Sequence, residues 1–122
     1  MCQILLSINP KHVENILIGK KKFEFRKVIC KRDVDKIIVY VTFPVMRVVA
    51  EVKVENVIVG NLSSVWQQTK RFAGISYDFY EKYYNGKKNA VAYKLGKVKI
   101  YKKQKMLADF GLSFAPQSFV YL

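Results

Sequence analysis

Apolar residues in this chain alternate with polar ones over long stretches and fall into helical spacing only briefly, which predicts strands joined by short helices. Ile4-Leu5-Leu6-Ser7-Ile8 is a nearly unbroken apolar run and reads as a buried strand over residues 3–8. Asn9-Pro10 then supplies an N-cap followed by proline at the first helical position. Val13, Ile16 and Leu17 repeat at helical spacing, and Gly19 stands where a left-handed cap ends the helix, so residues 10–18 are expected to be helical. Phe23 and Phe25 alternate with Lys22, Glu24 and Arg26, which in an extended segment over 23–26 sends aromatics to one face and charges to the other.

The β-branched run over residues 36–41 predicts a core strand. Phe43-Pro44 interrupts it, and residues 46–59 resume with Val52 and Val54 set against Glu51, Lys53 and Glu55. Gly60-Asn61 marks a turn, after which Ser63 or Ser64 caps a helix running to about Lys70. Ser76 caps another through Tyr84, stopped by Asn85-Gly86. This helical pair is an insertion between strands. Residues 90–101 form the longest late strand, and 119–122 close the sheet. Mixed strands with short helices and no β-α-β rhythm predict an α+β, mainly β architecture, a compact barrel in preference to a doubly wound sheet. At 122 residues the chain has room for one domain, 1–122, with a real core.

Composition narrows the function classes. No apolar run approaches the roughly 18 residues needed to cross a bilayer, and no secretory leader is visible, so a soluble, cytoplasmic protein that does not engage membrane is expected. Cys2 and Cys30 are too few for a disulfide framework, and with the lone His12 they make no metal set; neither metal nor cofactor is expected. The 22 Lys and Arg against 9 Asp and Glu give a formal charge of +13, with the acids concentrated in the first half. Such a field attracts polyanions, and nucleic acid fits better than an acidic membrane because no long basic amphipathic helix is present. Lys20, Lys22, Lys97 and Lys99 are candidate phosphate contacts on this basic surface. The plainer reading is that the lysines serve solubility alone.

The densest chemistry lies in Gly19-Lys20-Lys21-Lys22-Phe23-Glu24-Phe25-Arg26, where four cations surround one carboxylate just after a helix end. With the strand and helix before it, the spacing G-x-K-x-x-E-x-R resembles the opening of an ASCH domain. Pro44-Val45 ahead of the long β-rich run, and Ala115-Pro116-Gln117-Ser118-Phe119 near the end, agree with that resemblance, while Ala50 departs from it where many relatives carry glycine.

The resemblance implies a PUA-like fold, a small, partly open mixed β-barrel with short helices at its rim, related to domains that bind RNA. It implies a cleft lined by Lys21, Glu24 and Arg26 that takes RNA, a nucleotide or a modified nucleoside. The alternative is a small hydrolase, an acetylcytidine-type amidohydrolase or a ribonuclease, using Lys21 and Glu24 with Asp78 or Glu81 as a partner carboxylate. The amidohydrolase-like relatives carry threonine where this chain has Glu24. From the residues alone, the ionisation of Lys21 stays open: the cations beside it lower its pKa and Glu24 raises it. Glu24 and Arg26 can equally form an ordinary ion pair. Among the aromatics, Tyr40 and Phe43 flanking the Pro44 break, and Trp66 in the helical insertion, are candidates for stacking on bases. Oligomeric state is not legible.

Overall fold

The computed structural model describes residues 2–122. In chain order the elements are β1 (Cys2–Ile8), α1 (Pro10–Leu17), β2 (Phe23–Arg26), β3 (Val34–Val41), β4 (Arg47–Asn61), α2 (Leu62–Thr69), α3 (Tyr77–Tyr83), β5 (Asn89–Lys105) and β6 (Phe119–Tyr121). Single 3-10 turns at Lys70–Phe72 and Leu107–Phe110 lie outside the expected set.

All six strands join one sheet in the order β2-β5-β4-β3-β1-β6, with β1 and β3 parallel and every other pair antiparallel. The sheet curls into a half-barrel, an α+β fold of the expected kind. Bulges promote the curl: the long β4–β5 ribbon shifts register at Val48/Ala50, Val52/Val54 and Val54/Asn56, and each extra residue bends the strand and adds twist.

The concave face carries the main core. Ile4, Leu6 and Ile8 of β1 pack there with Val13 and Ile16 of α1, Ile37, Val39 and Val41 of β3, and Val91, Tyr93 and Leu95 of β5. The outer face holds two smaller cores. Phe23, Phe25, Ala90 and Ala92 are covered by α2 and α3 through Val65, Tyr80 and Tyr84. Leu5, Ile38, Tyr40 and Val48 lie beneath Leu107, Phe110 and Leu112. The period-2 alternation of β2 therefore takes effect as expected, since Glu24 and Arg26 sit opposite Tyr93 and Val91 on the concave side while Phe25 sits opposite Ala92 on the helix side.

Among the boundaries that differ from expectation, two have a clear local cause. Helix α2 starts at Leu62 because Asn61 Oδ1, not a serine hydroxyl, accepts the Ser64 N–H at 2.8 Å, so β4 runs into the helix without an intervening turn. Strand β5 continues to Lys105 because backbone pairing carries it to the Val48 level of β4, past the point where the side-chain alternation has faded.

Strands β2 and β6 are the sheet's edges. On β2 the carbonyls of Phe25 and Arg26 accept hydrogen bonds from the Tyr83 and Tyr84 hydroxyls, at 3.3 and 2.8 Å, so the helical insertion covers that edge. Arg26 reaches across the gap between the edges: its guanidinium donates to the Ser7 carbonyl of β1 at 3.3 Å and approaches Ser118 Oγ, just ahead of β6, at 3.4 Å.

Candidate functional site

The eight-residue cluster is positioned by the end of α1. Lys20 N–H donates to the Asn15 carbonyl and Gly19 N–H to that of Ile16, at 3.0 and 3.2 Å, the paired bonds of a Schellman cap, with Gly19 at φ +83°. The chain then turns back toward the insertion, where Lys22 N–H donates to the Phe72 carbonyl at 2.8 Å. Lys21 is thereby driven inward. It is 3% exposed, its ammonium donates to the Ala73 carbonyl at 2.8 Å, and it lies 4.9 Å from the centre of the Phe25 ring. Gly74 allows this approach: it holds φ +70°, and a Cβ there would stand 2.4 Å from Lys21 Cβ.

Glu24 is 6% exposed and pairs with Arg26 at 2.9 Å. The guanidinium is thus shared between this carboxylate, Ser7 and Ser118, and its Nε is buried without a hydrogen-bond partner among the described residues. Together Lys21, Glu24 and Arg26 line one cavity of about 170 Å³, with Ser7, Asn9 and His12 on one side and Ile75, Phe79 and Tyr83 of the insertion on the other.

Burial controls ionisation here. Desolvation pushes Lys21 down to about 8; Glu24 opposes the change and Arg26 reinforces it. His12 is also lowered, by burial first and then by the Lys21 charge, and its Nδ1 is buried without a partner among the described residues. Tyr83 is raised, mainly by burial.

The remaining candidates lie elsewhere. Asp78 is not brought to the cavity; it is exposed and pairs with Lys82 one helical turn on, at 3.1 Å, and Glu81 does not line the cavity either. Tyr40 is 3% exposed within the outer-face core, so it is no pocket wall. Phe43 is 80% exposed in the β3–β4 loop, away from the cavity. Trp66 packs on Tyr77 and Tyr80, with ring centres 5.4 and 4.8 Å apart. Lys97 and Lys99 are exposed on β5, Lys99 within 3.8 Å of Glu51. Lys22 covers the Phe72 ring at 4.6 Å, and Lys20 borders a second, outer recess.

Sequence reasoning weighed His12 only as a metal ligand and passed over Phe79, Tyr83 and Gly74. A signal existed for His12, one residue from the apolar stripe of a helix whose cap abuts the charged cluster. The other three depend on how the insertion docks. Among the described residues no three His, Cys, Asp or Glu side chains gather as a metal set, and Cys2 and Cys30 are free thiols. No helix among them is long and apolar enough to cross a membrane.

A curled six-stranded half-barrel with a lysine and a carboxylate walled into its open seam defines a small β-domain class with a built-in polar pocket. The ASCH domain family profile matches residues 6–99, and the chain belongs to that family. It is 30% identical over 94 residues to an ASCH domain-containing ribonuclease of Zymomonas mobilis, covering 76% of this chain and 64% of that protein. The crystal structure of ASCH from Zymomonas mobilis superposes with a TM-score of 0.89 at 27% identity, covering 98% of this chain and 87% of that one. A 35% match over 120 residues to ATP synthase subunit alpha of Ureaplasma parvum covers 98% of this chain, which spans only 15% of that protein's length.

Proposed function

We propose that residues 1–122 act as one RNA-binding ASCH unit that draws a single nucleobase into the cavity bounded by Lys21, Glu24 and Arg26. One observation carries this reading: a buried ammonium and a buried carboxylate share the wall of a cavity too small for a duplex. Its volume of about 170 Å³ falls below the roughly 300–1,000 Å³ of pockets that enclose whole drug-sized ligands, and it suits one ring.

The roles divide by how far each group is already satisfied. Arg26 spends its donors on Glu24, Ser7 and Ser118, so it positions the carboxylate and pins the seam. Lys21 keeps hydrogens beyond the one given to Ala73, and Glu24 keeps acceptor capacity beyond Arg26. A guest edge presenting an acceptor beside an amine donor, as cytosine and adenine do, matches that pair. The +13 charge supplies the sequence-independent attraction.

Binding of a labelled single-stranded RNA octamer, followed by fluorescence anisotropy, tests the assignment. Lys21→Met and Glu24→Gln are each expected to weaken binding about tenfold or more, in line with loss of a charged hydrogen bond to a base. Affinity unchanged in both variants, with unaltered melting curves, would reject the cavity as the binding site.

A second reading, RNA cleavage, is favoured by the Lys21 pKa of about 8, which leaves part of the population neutral near physiological pH and able to take up a proton. The ribonuclease relative points the same way. Shortened products from wild-type protein that Lys21→Met fails to make would establish it.

A further inference from the structure

We infer that the recess outside the cavity is a second nucleotide subsite, so that the ligand is a strand of at least two nucleotides and not a free nucleoside. The inference rests on the RNA reading above and deepens it.

The recess has a volume of about 740 Å³, inside the range that encloses a nucleotide-sized ligand. It adjoins the inner cavity, with His12, Ile75 and Phe79 lining both. Its rim carries Lys11 from α1, Lys20 from the cap and Arg71 from the 3-10 turn, and no acidic residue lines it. No carboxylate pairs with any of these three cations among the described residues. Cations from the two ends of α1 and from the 3-10 turn around one concavity suit a phosphate.

The floor supplies the other half of a nucleotide. Phe72 and Phe79 are 42% and 46% exposed, and Phe79 meets His12 edge-on at 5.4 Å where the two chambers adjoin. An aromatic face beside a cationic rim stacks a base while its phosphate is neutralised, the usual combination for unpaired strands. With one base in the inner cavity, its neighbour would stack on Phe79 and the intervening phosphates would meet Lys20 and Arg71. The unusual Lys20-Lys21-Lys22 run thereby divides its work: Lys21 faces the inner guest, Lys20 the outer one, and Lys22 is laid over Phe72.

Anisotropy measurements with a mixed-sequence RNA octamer, and its competition by cytidine 5′-monophosphate or by polyglutamate, test the inference. The octamer is expected to outcompete the mononucleotide at least a hundredfold. Lys20→Ala/Arg71→Ala should weaken octamer binding at least tenfold and flatten the log–log salt dependence by about 1.4, the value for two single-strand phosphate contacts. Phe79→Ala should weaken it about fivefold with the salt dependence unchanged. Lys87→Ala/Lys88→Ala, which removes equal charge from a turn outside the recess, should cost less than threefold. Equal losses from the two double variants would overturn the subsite, as would an octamer bound no better than the mononucleotide or displaced equally well by polyglutamate. Wild-type protein that binds no RNA would remove the underlying reading as well, whereas RNA binding indifferent to Lys20, Arg71 and Phe79 would remove the subsite alone.

Discussion

Lys21 is the residue on which sequence and structure bear most directly. An unfolded chain holds its ammonium proton to about pH 10.5, but burial in the fold releases it near pH 8. The native state therefore binds fewer protons than the unfolded state between those values, and stability should rise with pH across that window, by about 3 kcal/mol at its limit. Urea unfolding from about pH 7.5 to 9, where unfolded tyrosines of pKa about 10 are still largely protonated, should show the rise in wild type and its loss in Lys21→Met; parallel pH profiles would contradict the buried ammonium. That Lys21, Glu24 and Arg26 share a cavity was legible because all three lie within six residues of one capped turn. Asp78 shows the opposite case. It stands beside Phe79, which lines the cavity, yet a step of about 100° around α3 carries it to solvent, and Phe79 and Tyr83, four apart, share the cavity-facing side. The docking angle of that helix is set by packing of Tyr80 and Tyr84 on β2 and β5, which no local pattern records.

At the scale of elements, strands were readable wherever an apolar run or an alternation coincides with burial, as in β1 and β4. They were unreadable where only backbone pairing sustains them, as in the lysine-rich end of β5. The edges matter most for function. Strand β2 has just four residues and is held by β5 on one side and by tyrosine hydroxyls from the insertion on the other, while Arg26 ties it across the seam to β1 and the approach to β6. Removing that guanidinium strands the Glu24 charge in a nearly closed wall. Arg26→Met should therefore destabilise the fold by about 3 kcal/mol, and adding Glu24→Gln should restore a substantial part, because the pair is harmful chiefly when half broken. Chemical denaturation of the two single variants and the double variant measures this coupling; additive losses would show that the two side chains act independently.

Across the whole molecule, the excess of positive charge works in two directions. It draws in a polyanionic strand, and it makes the empty fold repel itself. Raising salt from about 50 to 200 mM should accordingly lift the melting temperature of the ligand-free protein by roughly 4 °C, about 1 kcal/mol, while RNA affinity falls. Calorimetry beside binding isotherms would show whether the two trends diverge; a melting temperature that drops with salt would mean that attractive surface pairs outweigh the repulsion. A last consequence comes from β6, which lies antiparallel beside β1 so that Leu122 N–H donates to the Gln3 carbonyl at 2.9 Å. A stretch whose two ends meet on adjacent strands can be spliced into a host chain at a single point of entry and exit, without parting its own sheet.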